Sequence, residues 1–202
     1  MVSDMKRRSV LAGIGAATLS TVVPAGAAVA LSTSQARELV DRLVEEINVV
    51  INSGESEARM LTRFEGIFER YANTQVIALR VLGSDARSAS PAQIRAFTAA
   101  FEGYIARKYG RRFREFIGGR IVVDRARVVK SWIEVQTTAH LQGEAPFRVD
   151  FLVKEGGGRD LFFDLVIEGI SLTRVEREEV GAMLDSRRGD LDRLIDDLRG
   201  AG

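Results

Sequence analysis

The sequence predicts an α+β domain in which a curved, mostly antiparallel sheet of about four strands is faced by helices. Three observations predict it. Apolar residues recur at helical spacing from Leu39 to Phe116. After Gly118-Gly119 the pattern changes to period two, the signature of strands with one apolar face. The stretch from Phe147 to Leu172, FRVDFLVKEGGGRDLFFDLVIEGISL, then reads as two strands joined by a glycine turn and a return toward a helix. Phe147, Val149, Phe151 and Val153 alternate with Arg148, Asp150 and Lys154 in its first arm. Leu161, Phe163, Leu165 and Ile167 share a face in the second, and Phe162 and Val166 make the opposite face apolar too. A strand apolar on both faces is covered on both, so this hairpin belongs in the middle of the sheet, with helices on the concave side.

Composition narrows the function. A chain of 202 residues that is 46% hydrophobic makes one domain with a core of its own. It has no cysteine, hence no disulfide framework, thiol nucleophile or thiolate metal site, and its one histidine is His140. The net charge of +1 gives no general pull toward nucleic acid. No run has the apolar length of a mature transmembrane helix.

Residues 1–30 read as an export signal and residues 31–202 as the single mature domain. Lys6, Arg7 and Arg8 precede a mildly apolar run from Val10 to Val23, and Ala28-Val29-Ala30 fits a cleavage site, with Ala25-Gly26-Ala27 as a second choice. KRRSVLAG resembles a twin-arginine signal, and an ordinary Sec signal carrying two arginines is the alternative. Removing this segment takes the net charge from +1 to about −1. The predicted location is the periplasm.

The mature chain opens with a helix whose stripe is Leu39, Leu43, Ile47 and Val50/Ile51, stopped by Asn52-Ser53-Gly54. A second helix carries Met60, Leu61, Phe64, Ile67, Phe68 and Tyr71, and a shorter third ends at Leu82-Gly83. Ser90-Pro91-Ala92-Gln93 is a strong helix start: Ser90 caps, Pro91 suits the first helical position and Gln93 completes a capping box. Ile94, Phe97, Phe101, Tyr104/Ile105 and Tyr109 share a face of that helix, and Phe113 and Phe116 continue it. The stripe reads as core first and as the wall of an apolar pocket second. Ile121–Val123 reads as a short strand. Val129, Ile133, Val135, Ala139 and Leu141 read as one face of a long strand whose other face is polar. Two further helices close the chain, through Val175–Leu184 and from Asp190 with Leu191, Leu194, Ile195 and Leu198 inward.

No catalytic set stands out. Gly156-Gly157-Gly158 lacks the lysine of a P-loop and joins two strands, so it is a turn. Asp150 and Asp164 lie on neighbouring strands among Arg148, Lys154 and Arg159, where cross-strand ion pairs are the simpler reading. His140 lies on the polar side of its strand. The run Arg107, Lys108, Arg111, Arg112, Arg114 is the strongest charge asymmetry, either a solvated helix face or a docking patch for an acidic partner or an anionic membrane surface.

LGSDARSASPAQIRAFTAAFEGYIARKYG, PFRVDFLV and FFDLVIEGISL together resemble the MlaC family, and Gly189-Asp190 with Leu194-Ile195 is similar to its closing helix. The resemblance spans about residues 35–200. It implies a nuclear-transport-factor-like sheet with an apolar cavity between sheet and helices that holds the two acyl chains of a phospholipid. It implies a shuttle, with no enzymatic activity and no cofactor, that maintains outer-membrane lipid asymmetry. Its implied partners are an outer-membrane lipoprotein complex and an inner-membrane MCE-domain ABC transporter. The chain departs from the family pattern where Phe163 replaces a tyrosine and where Glu176 and Val180 replace aromatic residues. The residues expected to line the cavity are Phe97, Phe101, Tyr104, Tyr109, Val135, Val149, Phe151, Phe163, Leu165 and Ile167. Two other functions fit such a chain. One is an isomerase or hydratase with Asp150 or Asp164 as base and a tyrosine as donor. The other is a protein-binding periplasmic adaptor with a filled core.

Overall fold

A computed structural model of the chain describes residues 32–110, 115–156 and 158–201. Helix α1 (Thr33–Ile51) starts at Ser32, whose hydroxyl accepts from the Gln35 amide while the Gln35 side chain accepts from the Ser32 N–H. Then follow α2 (Glu57–Tyr71), α3 (Thr74–Leu82), a short 3-10 turn at Asp85–Arg87 and α4 (Pro91–Gly110). The predicted Ser90/Gln93 box is present at the start of α4. Five strands come next: β1 (Arg120–Val129), β2 (Trp132–His140), β3 (Phe147–Gly156), β4 (Arg159–Ile167) and β5 (Ile170–Ser171). Helices α5 (Leu172–Ser186) and α6 (Leu191–Gly200) end the fold. The sheet is a meander of order β1-β2-β3-β4-β5, antiparallel throughout.

Three local expectations differ from the structure. The single long strand from Val129 to Leu141 is two strands, because Lys130 takes a left-handed φ of 54° and reverses the chain at Lys130-Ser131. The short strand at Ile121–Val123 extends to Val129. A bulge between Val123 and Arg125 shifts its register and masks the alternation. The helix expected to continue through Phe113 and Phe116 is described as far as Gly110; Phe113 lies outside the described residues, and Phe116 sits in a 3-10 turn. Gly110 is where α4 meets α2: a Cβ there would lie 1.8 Å from a Leu61 methyl.

Helix α1 lies across β1 to β4 and buries Leu39, Val40, Leu43, Val44 and Ile51 against them. Helix α4 packs instead on α2, α3 and α6. Both sides of the sheet are covered in part. Along β1, Asn48 accepts from the Ile121 N–H (2.9 Å) and donates to its carbonyl (3.0 Å), and Arg37 donates to the carbonyls of Val123 and Asp124. Beyond β4, Ala72 and Asn73 pair with Phe162, where β5 is too short to reach. Side chains and loop backbone thus satisfy groups that would otherwise invite another chain. No helix among the described residues is long and apolar enough to cross a membrane.

Candidate functional site

The inner face of the sheet and the α4 stripe belong to one continuous apolar core. Phe97 and Phe101 stack at 5.6 Å between ring centroids, and Tyr104 follows Phe101 at 6.2 Å. From the sheet, Val135, Val149 and Phe151 are buried, and Leu165 and Ile167 are half-buried against the same core. Phe97 and Val135 have no accessible surface at all. These side chains belong to one buried apolar cluster among the described residues, and a ligand seated among them would part helices from sheet. An open cleft of about 730 Å³ lies elsewhere, between α1 and β1, lined by Val44, Val49, Ile121 and Val122 together with Asp41 and Glu45. None of the predicted lining residues borders it.

Among the strand residues expected to line the cavity, Phe163 stands off the core face that the others share. A register shift between Leu152 and Val153 makes Phe163 the extra residue of β4. Phe162 takes the core position opposite Val153, edge-on to Phe151 (5.7 Å) and Phe68 (5.9 Å). Phe163 packs against Trp132 at 6.0 Å, with the Arg80 guanidinium 5.0 Å from its ring centre. The expectation that Leu161, Phe163, Leu165 and Ile167 share a face fails at this bulge.

The α4 stripe ends in a polar cluster facing α5. The Lys108 ammonium donates to Glu176 (2.8 Å) and to Glu179. It also stands 5.3 and 5.5 Å from the ring centres of Tyr104 and Tyr109. The Tyr104 hydroxyl donates to Glu179 (2.9 Å) and the Tyr109 hydroxyl to Glu176. Glu176 is 2% exposed, and its second carboxylate oxygen has no hydrogen-bond partner. Burial, reinforced by the Glu179 carboxylate, pushes the Tyr104 hydroxyl up to about 12, and burial with Glu176 raises Tyr109 as well. Burial alone would depress Lys108, but its bonds to the two carboxylates outweigh that and raise it. The Lys108 hydrogen bond holds Glu179 below its ordinary value.

The other sequence candidates have structural partners. The basic patch does not stand open at Arg107, which donates to the carbonyls of Leu198 (2.6 Å) and Ala201 (2.8 Å) at the end of α6, where helical carbonyls lack partners. Nor does it at Lys108, held in the cluster; Arg111, Arg112 and Arg114 lie outside the described residues. Asp150 pairs with Arg148 on the outer face of the sheet, beside a row in which Arg125 donates to Gln136 and Arg127 and Gln136 donate to Glu134. Asp164 accepts from the Leu165 and Thr173 N–H groups and from the Ser171 hydroxyl, so it fastens the start of α5 to β4.

A family model described as MlaC protein matches residues 37–200, nearly the whole described chain. The chain belongs to the MlaC family. Its fold is similar to that of a phospholipid-binding protein from Ralstonia solanacearum, solved in complex with a phospholipid. The TM-score is 0.69 at 18% sequence identity, over 81% of this chain and 94% of the other. Within this MlaC-family fold, sequence reasoning missed Glu176 and Glu179 as partners of Lys108 and Phe162 as the core residue of β4. A signal existed for Glu176. It falls between Thr173 and Val180 at helical spacing, on the stripe that α5 buries.

Proposed function

We propose that this MlaC-family protein binds one phospholipid with its acyl chains between α4 and the sheet, and carries it across the periplasm. The observation that carries the reading is family membership over residues 37–200, joined to a fold shared with a protein solved with a phospholipid bound. The core supports it. Aromatic rings on α4 and aliphatic and aromatic side chains on β2 to β4 form a single apolar body that acyl methylenes could enter. Each buried methylene recovers about 0.8 kcal/mol, so two chains can offset the parting of helices from sheet. The same energetics make release into water slow. The carrier therefore hands its lipid to membrane complexes: an outer-membrane lipoprotein complex on one side and an inner-membrane MCE-domain ABC transporter on the other. Residues 1–30 are its export signal, and transfer between the two complexes maintains outer-membrane lipid asymmetry.

Native mass spectrometry of the mature protein, purified from the periplasm without detergent, tests this. The expected result is one co-purifying diacyl phospholipid per chain, lost in a folded Phe151→Asp variant. A lipid-free mass under gentle conditions, with no uptake from added phospholipid vesicles, overturns it.

A further inference from the structure

We propose that the cluster of Lys108, Glu176, Glu179, Tyr104 and Tyr109 is a receptor for a zwitterionic headgroup, one that carries both a phosphate and a primary ammonium. The assignment rests on the phospholipid reading above and gives that site its ligand class.

The arrangement along α4 matches an amphipathic ligand. Phe97, Phe101, Tyr104 and Lys108 follow one another on one helix face, and they run from complete burial at Phe97 to a side chain 24% exposed at Lys108. Glu179, across from Lys108 on α5, is 47% exposed. The row thus passes from apolar interior to wetted charge, as a lipid does from acyl chain to headgroup.

The chemistry at the outer end is that of an ammonium site, filled by the protein's own lysine. Two carboxylates and two tyrosine rings surround the Lys108 nitrogen, a combination that recognises ligand ammonium groups. Lys108 is the cation that meets both carboxylates among the described residues, and it leaves one buried oxygen of Glu176 without a donor. A buried carboxylate oxygen lacking a donor carries a desolvation cost that a further N–H would remove. A phosphate–ammonium headgroup fits by exchange. Its phosphate pairs with Lys108, and its ammonium takes over Glu179 and donates to the open oxygen of Glu176. Each charge keeps a partner. An anionic headgroup without an ammonium brings a phosphate beside two carboxylates and supplies no cation in return, which like-charge repulsion opposes.

The test offers the mature protein an equimolar mixture of phosphatidylethanolamine and phosphatidylglycerol vesicles of identical acyl composition, with bound lipid read by native mass spectrometry. Wild type is expected to favour phosphatidylethanolamine about tenfold, the scale of one charge-assisted hydrogen bond. Glu179→Gln, at a half-exposed position, is expected to bring the ratio close to one, by lowering phosphatidylethanolamine uptake and, with one repelling carboxylate gone, raising phosphatidylglycerol uptake. Glu176→Gln, with folding checked by circular dichroism, is expected to do the same. Equal uptake of both lipids by wild type, or a preference that survives Glu179→Gln, overturns the headgroup assignment and leaves the phospholipid reading standing. Uptake of neither lipid overturns that reading and this one with it.

Discussion

Helix α1 and helix α4 each bury an apolar stripe, yet they are held in opposite ways. Helix α1 lies directly on four strands, burying a stripe of aliphatic residues, and its polar residues bond the backbone of β1. Helix α4 stands on other helices, and it reaches α5 through long side chains whose ends are charged. The first contact depends on shape and on backbone hydrogen bonds, which salt and pH barely touch. The second depends on charges that both can alter. Salt and pH therefore act chiefly on the seam between α4 and α5 and leave the α1–sheet contact nearly untouched.

The largest expected effect breaks the α1 side. Leu43 is 2% exposed in the core, and Leu43→Ala removes three heavy atoms and leaves a void. A loss of about 2–5 kcal/mol is expected in urea unfolding, unchanged between low and high salt. A loss that shrinks markedly with salt would show that α1 is not held by packing. Asn48→Ala comes next. It leaves the Ile121 N–H and carbonyl without their partner, at about 1–3 kcal/mol in the same assay. An effect near zero would mean that water replaces the amide freely and that the edge of β1 is not closed by α1.

How much of this contrast the sequence carried depends on what fixes each part. The Ser90/Gln93 box and the inward residues of α6 were legible, because caps and helical periodicity are local properties of the chain. The meander was legible in outline. Its turn at Lys130 was not, since a lysine with positive φ gives no glycine or asparagine signal. The bulge at Phe163 was equally silent: every residue from Leu161 to Phe163 is apolar, so either register satisfies the pattern and only the pairing with β3 decides. In the candidate site, the apolar stripe of α4 could be read, but the fate of its charges could not. Arg107 and Lys108 look like solvated cations until α6 and α5, some 70 to 90 residues later, bring carbonyls and carboxylates to them.

The smallest effect sharpens the α4–α5 side. The hydroxyl of Tyr104 is raised to about 12 in the folded protein, by burial and by the bond it donates to Glu179, against an ordinary value of about 10 in the unfolded chain. Between those two values the folded state keeps a proton that the unfolded state has lost, so stability falls as pH rises. The contribution is complete below about pH 10 and gone above about pH 12. Lys108, also raised, acts in the same direction. Because Glu179 reaches water, the part belonging to Tyr104 is on the order of 1 kcal/mol. Urea unfolding of wild type and Tyr104→Phe at pH 9 and pH 12 isolates it: wild type should lose more stability over that interval than the variant. Parallel losses in the two proteins would place the alkaline sensitivity outside the seam, and the distinction between the two helices would then rest on packing alone.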